Sequence, residues 1–564
     1  MVFTLHRYIF REVFRVFVLA AVALTLILSL GSILRPIQEY GVGPRQVVYL
    51  IGFFLPITLT FVLPMAALFA TALVYGRFAA DNELDACRAS GVPLSTLVYP
   101  GLTLAIMVAI ANLILSFHVM PAFVHSAEKS LKADAKQILF RNIQQRGYYK
   151  PPGTDSRIYA DYANAENDTL TGVIVANVKE ARIEKIITAE SATVRFNPHE
   201  TFNEVLITTN NPYQMASEDL TGFSAESMVL TLEFPPLLGD DIKFKKIREM
   251  KKIKVEPVLF YPIEKLARRT YAQFTAELLA QDIRQNTEYR RQKTEDRISN
   301  VERRATSDER RLYNLHSDKK IVEFTTTQCT PAEEKKVLLS GDVVVIEYDA
   351  ATKQMIRELH CTKALIDIEG DELAPTLTLT LFNATWQRPA PASPDASRGG
   401  GPDGSTGLDR RPVIRGLILP TTVTDTFKTP DLLDSVRDGF IASALKTKPG
   451  PALNSLRQKL KAKIRDTLAQ IQAEVHSRLV FGIGCIPMIM IGIALGIIKK
   501  QGHLLSAFGA SSIPAALLVV CIMMGKNIAK NPGSKTLSGI LLMWMGLVVL
   551  SILAGGIYRK LLKN

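Results

Sequence analysis

The sequence has few cysteines and lacks the common nucleotide-binding and catalytic motifs. Five cysteines are spread over 564 residues, and none has a CxxC or Cys/His spacing that would predict a metal site. No GxxxxGK[ST] phosphate-binding loop, GxSxG nucleophile elbow or HExxH zinc motif is present. We therefore expect no metal, no cofactor and no catalytic residue. Any work that the protein does across a membrane must draw its energy from another chain.

Long apolar runs are missing from the middle of the chain, roughly residues 125–475, and are concentrated at its two ends. Each run is long enough to cross a hydrocarbon core of about 30 Å. The sequence predicts a membrane α-helical bundle of six transmembrane helices, in a 3+3 arrangement around a large insert. The six runs are Val16–Leu34, Val47–Tyr75, Leu97–Met120, Leu479–Ile498, Leu504–Met524 and Leu537–Ile557.

The insert is rich in short β-strand patterns separated by turn residues, in two blocks at about 139–255 and 322–386. Many short strands favour an antiparallel sandwich or jelly roll. Between the blocks, about 262–315 is a charged helical insertion, and about 388–411 has the Pro/Gly/Ser composition of a flexible linker. The predicted domains are 1–124 (spans 1–3), 125–428 (β-domain), 429–477 (helical connector) and 478–564 (spans 4–6).

The distribution of Lys and Arg predicts the orientation in the membrane. With the N-terminus in the cytoplasm, the inside segments carry about twice as many basic residues as the short outside loops. Six spans then place both termini inside and the large insert outside. Much of the net charge of +13 lies at membrane flanks, so we do not expect nucleic-acid binding. The inside residues are Arg7, Arg11, Arg15, Arg77, Arg88, Lys499, Lys500, Arg559, Lys560 and Lys563, and the outside ones are Arg35, Arg45, Lys526, Lys530 and Lys535.

Two cysteines, Cys329 and Cys361, fall in the predicted outside domain. An oxidising compartment would permit a disulfide between them, but the sequence alone does not decide whether it forms.

A charged segment, YGRFAADNELDACRASG at Tyr75–Gly91, separates the second and third spans. Its alternating charged and apolar residues predict a short amphipathic helix at the membrane surface, at about 79–91. Ser90 and Gly91 are a helix stop signal, and Pro93 prevents simple continuation. The alternative is a polar connector with no partner of its own.

The same segment, extended to YGRFAADNELDACRASGVP, resembles the characteristic loop of the LptF/LptG (YjgP/YjgQ) permease family. The approach to the fourth span, Glu474-Val475-His476-Ser477-Arg478-Leu479, is similar too, as are Pro487 and the ALGI at Ala494–Ile497. The charged insertion and the linker depart from the family and make this chain longer than the usual member.

The resemblance implies a permease subunit of an ABC transporter that extracts lipopolysaccharide from the bacterial inner membrane. The expected partners are a dimeric cytoplasmic P-loop ATPase (LptB-like), a paralogous or identical permease subunit and a periplasmic bridge protein (LptC/LptA-like), together with the lipopolysaccharide and membrane lipids. Glu83 matches the family's coupling glutamate, and the large domain is expected in the periplasm. The resemblance places the ATPase-coupling helix at Asp81, Glu83, Leu84, Arg88, Ser90 and Gly91.

Arg35 and Arg45 lie where lipid phosphates are expected, and Arg binds phosphate bidentately. Anchoring of the helix ends at the membrane interface explains them equally well. Two other functions stay open at this point. One is a membrane-anchored scaffold that binds a periplasmic partner, and the other is a different ABC permease that transmits force to a periplasmic domain.

Overall fold

The computed structural model describes residues 2–40, 44–133, 135–151, 156–179, 182–198, 203–216, 222–224, 227–234, 241–298, 313–317, 319–332, 335–369, 376–387, 407–409, 412–425, 432–435, 438–445, 448–498, 504–531 and 536–563. The chain divides into two compact units. The first comprises Met1–Glu256 and Arg465–Asn564, and the second comprises Pro257–Ile464.

Fourteen α-helices lie within the described residues. A π-turn at Leu115–Val119 follows the fourth of them. The helices are α1 (Val2–Tyr40), α2 (Pro44–Ala80), α3 (Glu83–Ala89), α4 (Leu94–Ile114), α5 (Met120–Ala133), α6 (Ala135–Arg146), α7 (Ile247–Val255), α8 (Tyr261–Ile298), α9 (Thr421–Thr424), α10 (Leu432–Ser435), α11 (Asp438–Ala444), α12 (Pro451–Ile498), α13 (Leu504–Lys530) and α14 (Thr536–Lys563).

Six stretches of these helices are long and apolar enough to cross a membrane. Their number agrees with the six predicted spans by length and composition, and the 3+3 arrangement of the bundle stays a prediction. They are Phe3–Gly31, Phe54–Ala80, Leu94–Ser126, Pro451–Ile498, Ser512–Lys530 and Thr536–Leu561.

Small residues let the membrane helices approach closely. An ideal Cβ built on Gly496 of α12 would lie 2.8 Å from the carbonyl oxygen of Ala72 in α2, and one on Gly492 would lie 3.2 Å from that of Leu68. In lipid the hydrophobic effect does not drive helices together, and close van der Waals contact between backbones stabilises their packing instead. These glycines therefore fix α12 against α2.

The first unit contains an antiparallel sheet with strands in the order β1-β2-β3-β4-β5-β8, while β6 pairs with β4 and β7. One face packs on the apolar side of α6 through Ile138, Leu139, Phe140 and Ile143. The strands are β1 (Tyr148–Tyr149), β2 (Ser156–Asn164), β3 (Thr169–Lys179), β4 (Arg182–Pro198), β5 (Asn203–Asn210), β6 (Tyr213–Ala216), β7 (Gly222–Ser224) and β8 (Ser227–Phe234).

The second unit contains a nine-stranded antiparallel sheet, in the order β11-β12-β10-β9-β17-β14-β13-β15-β16. An additional pairing of β12 with β13 closes six of the strands into a ring. The strands are β9 (Tyr313–His316), β10 (Lys320–Thr325), β11 (Gln328–Ala332), β12 (Lys336–Asp349), β13 (Met355–Glu369), β14 (Thr376–Phe382), β15 (Ala384–Gln387), β16 (Gly407–Asp409) and β17 (Val413–Ile418).

One fully buried carboxylate in this sheet is paired twice. Glu347 accepts from the ammonium of Lys320 at 3.0 Å and from the guanidinium of Arg357 at 2.6 Å. Removing either cation would leave less compensation for a charge that has no access to water.

The predicted charged insertion is helical over α8. Its first half is not solvated, since Phe274, Leu279 and Ile283 are fully buried and the helix contacts β9, β11 and β12. Arg284 also donates to the carbonyl oxygen of Cys329 at 2.6 Å. Residues 299–312 of this insertion lie outside the described residues, and its predicted end at 313–315 belongs to strand β9 and not to a helix.

Both predicted β-rich blocks contain a sheet, but the strand-like prediction is wrong at the two ends of the first block, where 139–146 belong to α6 and 247–255 form α7. The structure thus supports a helical membrane part with an inserted β-rich region. Most of the predicted linker, 388–406 and 410–411, lies outside the described residues, while 407–409 form β16 and pair with β15. The predicted domain limits stay predictions.

Cys329 and Cys361 are buried free thiols in the second sheet. Cys329 pairs with Leu339 on one side of β12 and Cys361 pairs with Val343 on the other, so their partners are separated along that strand. Burial raises the pKa of the Cys329 thiol to about 12 and that of Cys361 to about 11.

We expect both thiols to resist alkylation in the folded protein, because burial shields them from the reagent and, by raising their pKa, disfavours the reactive thiolate. Iodoacetamide followed by peptide mass spectrometry should label them only after denaturation. Labelling of the folded protein as fast as an exposed cysteine, or a disulfide-linked peptide pair under non-reducing conditions, would contradict this.

Candidate functional site

The predicted amphipathic segment is a turn followed by a seven-residue helix. Helix α2 continues through Ala80, and the chain then reverses at Asn82, whose φ is 57°. Asn tolerates this left-handed conformation better than most residues. The carbonyl oxygen of Asn82 accepts from the amide of Ala86 at 3.0 Å and so starts α3. The predicted stretch of about 79–91 thus comprises the end of α2, the turn, α3 and its cap.

The end of α3 has the hydrogen bonds of a Schellman cap. The amide of Gly91 donates to the carbonyl of Arg88 at 2.9 Å, and that of Val92 donates to Cys87 at 3.1 Å. Gly91 has a φ of 82°, which glycine adopts without strain. Ser90 adds a hydroxyl hydrogen bond to the carbonyl of Ala86 at 2.9 Å. The stop signal read from Ser90 and Gly91 therefore ends the helix as predicted.

Leu84 anchors α3 to the membrane helices. Its side chain is 4% exposed and belongs to a buried apolar cluster with Tyr75, Phe78, Leu94 and Leu97. We call this group of residues, at the α3 end of the helical part, the α3 cluster. A force applied to α3 is therefore transmitted through close-packed side chains to α2 and α4.

The other residues of the predicted coupling helix face outward. Asp81, Glu83, Arg88, Ser90 and Gly91 are all exposed, in contrast to Leu84. The result is a short helix with an apolar anchor on one side and charged groups on the other. This arrangement suits a surface helix that binds a partner in water.

Tyr75 joins the helices on either side of α3. Its ring is fully buried, and its hydroxyl donates to the carbonyl of Leu97 at 2.9 Å while accepting from the amide of Gly101 at 3.1 Å. In a regular α-helix the amide of Gly101 would donate directly to the carbonyl of Leu97, four residues earlier. Here the tyrosine hydroxyl lies between the two groups and bonds to both. Sequence reasoning missed this contact, since one tyrosine in an apolar run carries no signal.

The two ends of the chain also reach the α3 end of the helical part. Arg77 forms an ion pair with Glu12 of α1 at 2.9 Å, and Tyr8 stacks on Phe78. Tyr558, near the end of α14, packs against the larger buried apolar cluster of which the α3 cluster is part. The start of α1, helix α3 and the end of α14 therefore share one end of the bundle.

Arg35 and Arg45, the predicted phosphate ligands, belong to α1 and α2 by their backbone. Their side chains lie outside the described residues. Within the part of the chain that the structure describes, no group of three His, Cys, Asp or Glu side chains is arranged to hold a metal ion.

We predict that Leu84→Ala loosens α3, because truncating a buried leucine costs about 2–5 kcal/mol. Hydrogen–deuterium exchange at the amides of Ser90, Gly91 and Val92 should become at least about tenfold faster. The exposed neighbour Ala89→Ser should leave it unchanged. Unaltered exchange in Leu84→Ala would show that Leu84 does not anchor the helix.

The chain matches a known protein family over almost its whole length. Residues 7–560 match the family described as "Lipopolysaccharide export system permease LptF/LptG". A search of curated proteins found no match to the chain. Because the family match covers almost the full length, the chain belongs to the LptF/LptG family of lipopolysaccharide export permeases, which are transporter components.

Proposed function

We propose that the protein is the permease half of an ABC transporter that extracts lipopolysaccharide from the bacterial inner membrane. A separate cytoplasmic P-loop ATPase dimer drives it, a paralogous or identical permease subunit completes it, and a periplasmic bridge protein receives the lipid. The observation that carries the proposal is α3, which exposes its charges while Leu84 ties it to the membrane helices.

The proposed topology has both termini and α3 in the cytoplasm. The excess of Lys and Arg in these segments supports it. The shared position of the start of α1, helix α3 and the end of α14 agrees with it, because all three must then lie on one side of the membrane. The β-rich region of 125–428 is then the periplasmic domain, for which we propose a jelly-roll core.

Lipopolysaccharide export needs a dry path for acyl chains, since exposing them to water costs about 0.8 kcal/mol per CH₂. Helix α2 contains Pro56 and Pro64, which interrupt its hydrogen bonds and allow bending. We propose that the spans form a lateral cavity for the lipid. Collapse of this cavity, driven from α3, then pushes the lipid toward the periplasmic domain.

Within α3, the exposed carboxylate of Glu83 is the proposed contact with a basic residue of the ATPase. An exposed charge pair of this kind adds modest affinity and fixes orientation. Leu84 instead carries the mechanical connection to the bundle. Binding and force transmission therefore depend on adjacent residues with opposite exposure.

We predict that Glu83→Ala leaves the assembled complex largely intact but uncouples ATP hydrolysis from lipid release. The measurement is ATPase rate and lipopolysaccharide release by the same purified complex. Release per ATP should fall severalfold, and Glu83→Gln should behave similarly because it keeps the shape and removes the charge.

Ser95→Ala, an exposed change at the start of α4, provides the matched control and should keep normal coupling. Unchanged release per ATP in Glu83→Ala would remove Glu83 from the coupling mechanism. Failure to isolate any ATPase with the unaltered protein would contradict the proposed function itself.

We further propose that Arg35 and Arg45 bind lipid phosphates at the outer surface of the membrane. Changing both to Ala should abolish photo-crosslinking of lipopolysaccharide near these positions, because two guanidinium groups that pair with phosphate are lost. Lysine at both positions should retain part of it. Undiminished crosslinking in the double alanine variant would leave interface anchoring as their role.

A further inference from the structure

Two charged residues are buried one helical turn apart near the middle of α12. The side chains of Glu474 and Arg478 on α12 are only 10% and 3% exposed, and Arg478 Nε donates to Glu474 Oε1 at 3.1 Å. The second carboxylate oxygen, Oε2, accepts from Nζ of Lys526 on α13 at 2.5 Å. Ionisable groups within spans are costly to bury and are retained where they serve a function.

Arg478 is fixed by three parts of the first unit. Its Nη1 donates to the carbonyl of Ser116 at 3.0 Å, and its Nη2 donates to the carbonyl of Lys243 at 2.7 Å. The guanidinium also lies over the ring of Phe117, 5.6 Å from the centroid. Ser116 and Phe117 belong to the π-turn after α4, a feature that often marks functional sites. Arg478 thus connects α12 to this π-turn and to the segment before α7 through hydrogen bonds.

Lys526 is held differently. Its side chain is 28% exposed, and among the described residues its ammonium pairs with the carboxylate of Glu474. If this pair opens, Glu474 remains paired with Arg478, and the ammonium reaches water or headgroups. If Arg478 were removed instead, buried carbonyls and a carboxylate would lose their donor. Opening is therefore much easier on the Lys526 side.

Helices α13 and α14 form a closely packed pair. An ideal Cβ on Gly539 would lie 2.3 Å from the carbonyl oxygen of Gly525, and one on Gly525 would lie 2.6 Å from that of Gly539. Their backbones are thus in contact, and a displacement of one helix carries the other. The pair has two further polar contacts with α12. Trp544 donates its indole N–H to Nδ1 of His476 at 3.3 Å, and toward the other end of the pair the hydroxyl of Tyr558 donates to the carbonyl of Met490 at 3.1 Å.

We propose that the Glu474–Lys526 ion pair is a releasable latch that holds the α13–α14 pair against α12. Arg478 is its positioning residue, which keeps Glu474 paired and in place when the latch opens. Opening moves the ends of α13 and α14 near Lys526 and Trp544 away from α12. The apolar contacts of α12 with α13 further along, such as Gly484 with Leu518, stay closed. All the groups of the latch belong to this chain, so its opening does not depend on which molecule is transported.

The test measures the distance between α12 and α13 in the full chain in lipid nanodiscs. Spin labels are placed at the exposed positions Gln472→Cys and Asn527→Cys, after Cys87→Ser and Cys521→Ser remove the partly exposed native thiols. Pulsed electron paramagnetic resonance should give one dominant short distance in the parent chain. Lys526→Gln should add a longer distance as a major population.

Lys526→Arg should restore the parent distribution, since it keeps the positive charge. Lys530→Gln, an exposed change one turn further along α13, should have no effect. A folded Lys526→Gln chain with the parent distribution would overturn the latch. So would an arginine variant that behaves like the glutamine variant, or an equal shift in Lys530→Gln.

A second variant decides the question if Lys526→Gln fails to fold. Lys526→Met removes the charge but keeps the length of the side chain and its apolar stem. It should therefore populate the same longer distance. A folded Lys526→Met chain with the parent distribution would overturn the proposal.

Discussion

The buried side chain of Leu84 holds the charged surface helix α3 against the membrane helices. Leu84 sits in the α3 cluster while Asp81 and Glu83 remain in water. An entirely polar connector would bind a partner without transmitting its motion. An entirely apolar helix would be buried in the lipid and could not contact a soluble partner. In the proposed mechanism, this combination lets a soluble partner hold α3 while the helix moves with the bundle.

The path from α3 into the bundle consists of defined contacts. The hydroxyl of Tyr75 bridges to the backbone of α4, and Gly492 and Gly496 hold α12 against α2. A close-packed interior shifts between discrete arrangements rather than deforming smoothly. A displacement at α3 is therefore expected to reach α12, and the ion pair of Glu474 with Lys526 lies further along that helix.

The sequence predicted those features that depend on local patterns. Apolar runs located the six spans, and Ser90-Gly91 located the end of α3, because a left-handed glycine after a helix has a local cause. Two blocks of alternating residues became two sheets. Strand pairing was beyond the sequence, since the β12–β13 contact that closes the second sheet depends on residues far apart in the chain. The role of Tyr75 and the carbonyl partners of Arg478 were also missed, because no pattern in one sequence marks a buried hydroxyl or a π-turn.

The proposed mechanism requires a cytoplasmic ATPase to bind α3. A photo-reactive amino acid in place of Ala86, an exposed position on α3 outside the proposed contact residues, tests it directly in intact membranes. We expect a crosslink to a P-loop ATPase from this position and none from Gln472, at the other end of the bundle. Absence of an ATPase at position 86, or its capture at position 472, would contradict it.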